Sequence, residues 1–216
     1  MSSVRRPAAA ASLPASGDLA AAVKALLLAG ADAEARERFG DLVRLCQRRA
    51  SRLALYYLRD RADADEAVQD AFVKAYVHLR GFDETLSFDV WFNRILVNGC
   101  LDRLKSRSRR ARYLVPAPAE RENGTPAHEA VATGPSAEDV VLRREAARRL
   151  RMEIDKLPDR QRSVVLLTQF DGRPAAEVGA ITGLSESTVR VHLFRAMKRL
   201  RHALGAPASA GAGSRR

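Results

Sequence analysis

Arg190, Arg195, Lys198, Arg199 and Arg201 follow one another in a short stretch that holds a single acid, Glu186. Guanidinium and ammonium groups at this density can bond phosphate oxygens and guanine edges, so the chemistry on offer is DNA reading. The same stretch carries a side to pack: Val189, Leu193, Ala196 and Leu200 recur at four, three and four residues, the period of one buried helical stripe. Just before it, Gly183 can take the left-handed conformation that ends a helix, and Ser185 can cap the next one. From Leu157 to Leu204 the spacing therefore predicts helices with a tight turn, the last of them suited to a major groove. On the residues alone, the competing reading is a basic, solvated helix on an ordinary bundle.

A second constellation lies upstream. Arg94, Asn98, Asp102, Lys105 and Arg109 fall at steps of three or four, which sets an amide, a carboxylate and cations on one helical stripe. Such a stripe can meet base edges while holding backbone phosphates. The adjoining loop offers Phe82 and polar groups to an unstacked base. The competing reading is a plain solvated face.

No catalytic constellation is present in the sequence. The four histidines (78, 128, 192 and 202) pair neither with a nucleophile nor with metal-ligand spacing. His192 and His202 stand among arginines, where a phosphate or base contact is the natural role. There is no glycine-rich phosphate loop, and no cofactor or metal site is expected. The chain reads as a non-enzyme.

The elements that must position these residues are helical. A first helix is expected around Leu19–Leu28, ending at Gly30. A second spans about Arg36–Leu58 and buries Phe39, Leu42, Val43, Cys46, Leu53 and Tyr57. A third starts near Asp63 on the stripe Ala64, Val68, Ala71, Phe72, Ala75 and Leu79. Residues 80–86 form a loop broken by Gly81. Ser87 can cap a fourth helix that turns Phe88, Trp91, Phe92, Ile95 and Leu96 inward. Residues 113–139 then bring prolines 116, 118, 126 and 135, five acids and one Arg121, the composition of an acidic linker. Helical period resumes near Ser136 with Leu142, Ala146, Leu150, Ile154 and Leu157, and Pro158 opens a further helix ending at Asp171-Gly172. The expected fold is all-α. It consists of a tail (1–17), a helical domain (18–112), a linker (113–136), a helix-turn-helix domain (137–205) and a second tail (206–216).

Composition agrees with a polyanionic partner. The 216 residues carry 37 basic and 26 acidic side chains, a net charge of +11, which favours nucleic acid before membrane. Residues 103–112 alone hold six cations and no acid. Cys46 and Cys100 are too few and too far apart for a disulfide framework or a metal site, so two buried, reduced thiols are expected. The aliphatic run Ala25–Ala31 is short of the roughly 20 residues that span a bilayer. Pro7 and Pro14 interrupt any signal-like core. A cytoplasmic, nucleoid-associated protein is expected.

The order of segments resembles an extracytoplasmic-function (ECF) sigma factor, a minimal promoter-recognition subunit of bacterial RNA polymerase in the sigma-70 family. Residues 63–76 (DADEAVQDAFVKAY) resemble the family's polymerase-binding helix, and 82–104 (FDETLSFDVWFNRILVNGCLDRL) its promoter-melting segment. Residues 157–162 (LPDRQR) and 188–196 (TVRVHLFRA) resemble the start and the recognition helix of its C-terminal domain. The resemblance covers about 18–205. It implies that Glu66, Gln69, Asp70 and Val73 face the polymerase β′ clamp helices. It implies that Phe82, Asn98, Asp102 and Lys105, with loop 81–87, engage the single-stranded −10 element. It also implies that Ser187, Arg190, Val191, Phe194, Arg195 and Lys198 meet the −35 duplex. The acidic linker corresponds to a connector near the RNA exit path, and an anti-sigma factor is an expected partner. Three positions depart from the family pattern: Gly179 replaces the usual alanine, Thr168 a common cation, and Val191 a small polar residue.

Two other functions fit parts of the sequence. A sigma-like decoy would titrate an anti-sigma factor without touching DNA, but such decoys carry a receiver domain that neither tail has room for. A stand-alone helix-turn-helix regulator leaves residues 60–110 without a purpose.

Overall fold

The computed structural model describes residues 14–113 and 137–205, and within them the chain is helical. The linker expected at 113–136 and the expected tails lie, apart from a few residues at their edges, outside the described residues. Four helices come first: α1 (Pro14–Leu28), α2 (Asp32–Leu58), α3 (Arg61–His78) and α4 (Phe88–Tyr113). Four follow: α5 (Ala137–Asp155), α6 (Asp159–Val165), α7 (Ala175–Thr182) and α8 (Glu186–Ala203).

Local chemistry sets most boundaries. Gly30, at φ 76°, closes α1, and the Ala31 N–H donates back to the Leu26 carbonyl at 3.0 Å. The Asp60 carboxylate accepts the Asp63 N–H at 2.9 Å, so α3 starts at Arg61, ahead of the acids at 63–66 that mark its first turns. Between α3 and α4, a 3₁₀ turn (Leu79–Gly81) leads into a fastened loop. Asp83 accepts from the Thr85 backbone and hydroxyl at 3.0 and 2.7 Å; these bonds hold its carboxyl below the usual range. Lys24 of α1 donates to the Phe82 carbonyl at 2.8 Å and pairs with Glu84 at 2.9 Å.

The apolar stripes meet as the periodicity requires. Ala64, Val68, Ala71, Phe72, Ala75 and Leu79 are all buried, as are Leu42, Cys46, Leu53 and Tyr57 of α2, with Phe39 and Val43 packed against them. Phe72 stacks on Phe92 at 4.5 Å, and Phe92 stacks on Phe88. Both cysteines are buried and unpaired with each other; burial pushes each thiol up to about 12. In the later helices, Ile154, Leu166, Leu167, Ile181, Val189 and Ala196 are buried.

One stripe is shorter than expected. Leu150, Ile154 and Leu157 pack, but Val141 and Leu142 are 61% and 56% exposed. Among the described residues, α5 packs chiefly on α8 through its C-terminal half. Periodicity marks an apolar face but does not say what covers it.

The two groups of helices touch. After α6, a π-turn (Leu166–Phe170) swings Phe170 and Asp171 toward α2. Phe170 lies 5.0 Å from Tyr56. Arg49 grips Asp171 with Nε at 2.9 Å and Nη2 at 3.2 Å, and the buried Arg173 reaches the same carboxylate at 2.7 Å. Arg59, the one non-glycine at positive φ among the described residues, pairs with Asp155 of α5 at 3.5 Å. Helix α4 also packs on α7.

Gly179 is required where alanine is usual. A Cβ there would stand 2.6 Å from the Leu184 carbonyl oxygen, the backbone of the tight turn itself. Gly179→Ala gains about 1 kcal/mol of helix propensity but must displace that backbone, at about 1–3 kcal/mol. We expect the variant to melt at lower temperature than the parent by calorimetry, although propensity alone predicts a rise.

Candidate nucleic-acid and polymerase interface

Three surfaces emerge. The first is the outer side of α8. Gly183, at φ 71°, ends α7, and the Ser185 hydroxyl accepts the Thr188 N–H at 3.2 Å to start α8, the turn expected from those two residues. Val189, Ala196 and Leu200 are buried and Leu193 is partly so. Ser187, Arg190, Val191, Phe194, Arg195 and Lys198 all stand exposed. Phe194, at 67%, and Val191, at 46%, bring apolar groups that can meet thymine methyls between the cations. Arg190 pairs with Glu186 one turn back, so one acid orients the guanidinium. Arg195, Lys198 and His202 line a cleft of about 530 Å³ with Gln161 of α6, spacing that suits a phosphate. His192 is half-buried with Nδ1 shielded from solvent, so it is a poorer contact than its arginine neighbours imply.

We expect Arg190→Ala or Arg195→Ala to cost about 1–3 kcal/mol of promoter affinity per lost base contact. The loss should be larger on cognate duplex than on scrambled DNA in fluorescence anisotropy. Equal losses would make these residues phosphate anchors.

The second surface is α4 with its preceding loop. Asn98, Asp102 and Lys105 are exposed, and Asp102 pairs with Lys105 at 3.8 Å. The stripe is therefore open to a strand. Phe82 is a correction. It is 3% exposed, wedged against Phe88 and Trp91 at 5.8 and 4.9 Å, because burying an aromatic ring beside two others outweighs leaving it in a loop. In this conformation it anchors the loop from beneath, and the exposed side chains of the loop are those of Asp83, Glu84, Thr85, Leu86 and Ser87.

The third surface is the outer side of α3. Gln69 and Val73 are exposed and line an apolar groove of about 560 Å³ against α2, with Phe39, Val43, Gln47 and Val77. Val77, 65% exposed, is a surface residue missed from the sequence; its place one turn after Val73 was the signal. Glu66 and Asp70 flank the other edge. There they are held by Arg103 of α4, while Arg107 pairs with Asp63 at 3.2 Å. The basic cluster 103–112 is thus divided: Arg103 and Arg107 face α3, and Lys105 and Arg109 do not. Among the described residues, no group of His, Cys, Asp and Glu is placed to hold a metal ion, and no helix is long and apolar enough to cross a membrane.

An all-helical chain with a capped helix-turn-helix and an open polar stripe on a long basic helix defines a promoter-reading class of protein. Comparisons with known proteins agree. Residues 42–110 match Sigma-70 region 2, and residues 147–200 match Sigma-70 region 4. The chain is 30% identical over 169 residues to the ECF RNA polymerase sigma factor SigW of Bacillus subtilis, covering 78% of this chain and 90% of that one. It is 34% identical over 179 residues to the ECF RNA polymerase sigma factor SigM of Mycobacterium tuberculosis, covering 83% of each. In shape it is similar to CnrH, solved in complex with the cytosolic domain of CnrY, with a TM-score of 0.59 and 25% identity over 90% of this chain and 99% of that one. The chain belongs to the ECF RNA polymerase sigma factors, a family of transcription initiation factors.

Proposed function

We propose that α3 with the α2 groove docks on the core polymerase, that α4 and loop 81–87 hold the melted −10 strand, and that α8 reads the −35 duplex. The carrying observation is that one chain presents both an unobstructed amide-and-carboxylate stripe and a separate basic recognition helix. A duplex reader needs only the second. In this assignment residues 18–112 form the polymerase and −10 unit, residues 137–205 form the −35 unit, and the acidic 113–136 joins them along the RNA exit path. The protein acts in the cytoplasm, at the nucleoid, and carries no catalysis of its own. An anti-sigma factor is the expected inhibitor, and the exposed Val73 and Val77 give it an apolar foothold.

Reversing charge at Glu66 and Asp70 to Lys should abolish holoenzyme assembly in gel filtration with core polymerase. Because the new lysines would crowd Arg103, the neutral pair Glu66→Gln with Asp70→Asn is measured beside it and should weaken assembly less. Undiminished binding by both variants removes α3 acids from the dock.

A further inference from the structure

Arg103 stands where two of these surfaces meet. It follows Asp102 on α4, yet its guanidinium turns back to α3, one nitrogen 3.0 Å from Glu66 and the other against Asp70. Asp70, Asp102 and Arg103 also line one groove of about 240 Å³ between the helices, together with Lys74 and Ser106. One cation is therefore shared between acids that face the polymerase and a stripe that faces the melted strand.

The clasp is made to be exchanged. A planar guanidinium suits two carboxylates at once, and the bonds to Glu66 and Asp70 hold its charge firmly. Yet Glu66 and Asp70 are 63% and 55% exposed, so water competes, and each such pair shifts an equilibrium by no more than about fivefold. A basic partner docking on α3 takes these carboxylates at little cost. Arg103 then loses both acceptors, and the closest substitute anion is a phosphate of the strand along Asn98, Asp102 and Lys105.

We propose that Arg103 is a positioning relay: it clasps Glu66 and Asp70 in the free chain and passes to a backbone phosphate of the −10 strand once polymerase occupies those acids. This rests on the assignment of α3 to polymerase and α4 to the melted strand. If so, the free chain holds single strands more weakly than the holoenzyme does.

The test uses the full chain without polymerase and a labelled, mixed-sequence single-stranded oligonucleotide. Glu66→Gln with Asp70→Asn imitates capture of the acids. Affinity should rise about three- to tenfold at low salt, and the slope of log K against log salt should steepen by about 0.7, the increment for one added phosphate on a single strand. In an Arg103→Ala background the same pair of changes should leave the slope alone, and Arg103→Lys should retain part of the gain. Asp65→Asn, on the same helix but paired with Arg61, should not steepen it. A slope that steepens equally without Arg103 reports general loss of repulsion and overturns the relay, as does no steepening with Arg103 present. Core binding is read separately, with the charge-reversed pair beside the neutral one: if both bind core polymerase undiminished, the α3 acids are not part of the dock, whatever the slope does.

Discussion

Asn98→Ala together with Asp102→Ala should abolish promoter opening while leaving polymerase binding and −35 contacts almost intact. Both side chains are exposed on α4, and neither supports the core, so the variant should fold normally. A base edge is reachable from this stripe only after the base leaves the stack, so the contacts exist in the open state alone. At about 1–3 kcal/mol for each contact, losing two lowers the open fraction by at least about thirtyfold. Permanganate reactivity of thymines near the start site should fall accordingly. On a promoter pre-melted by mismatches, part of the defect should disappear because the unpairing cost has been met. Normal melting of a duplex promoter by the double variant would return the stripe to a solvated face.

The second large effect is a change of shape. The two groups of helices lie against each other through Arg49–Asp171, Tyr56–Phe170 and α4 on α7. Units of these sizes in contact have centres about 30 Å apart. Elements named −35 and −10 are about 25 base pairs apart, or about 85 Å along B-DNA at 3.4 Å per pair. One chain cannot hold both while its halves touch. The intervening residues 114–136 reach at most about 80 Å when fully extended, which with the width of each unit is enough to span the promoter. Energy transfer between dyes on α1 and α5 should therefore be high in the free chain and collapse in the promoter-bound holoenzyme. Arg49→Ala with Tyr56→Ala should lower it in the free chain as well, because Asp171 is buried and keeps only Arg173 as a charged partner. Unchanged transfer on promoter binding would mean that the halves never part.

Much of this was legible in the sequence, for local reasons. Gly183 and Ser185 announce the turn because left-handed φ and a capping hydroxyl are properties of single residues. The stripe on α3 announces its buried side because helical period converts directly into a face. What was not legible involves partners distant in the chain. Arg49 and Asp171 are 122 residues apart, and neither carries a local mark of the other. Phe82 sits in a loop by every local sign, yet Phe88 and Trp91 draw it inward. Leu142 has the right period but is exposed among the described residues. One signal was available and missed. Arg103 and Arg107, four apart, match the spacing of Asp63, Glu66 and Asp70 on the preceding helix, so the two helices were written to pair across their surfaces.

As a sigma factor, this chain should make core polymerase open a promoter. The direct measurement is permanganate footprinting of a duplex carrying the promoter of an ECF-regulated gene, with core polymerase alone and with core polymerase plus this protein. Reactive thymines should appear between the −10 element and the start site only when the protein is present, and should be lost when either element is scrambled. Binding to the same duplex without any reactive thymine would make the chain a DNA-binding regulator and contradict this role.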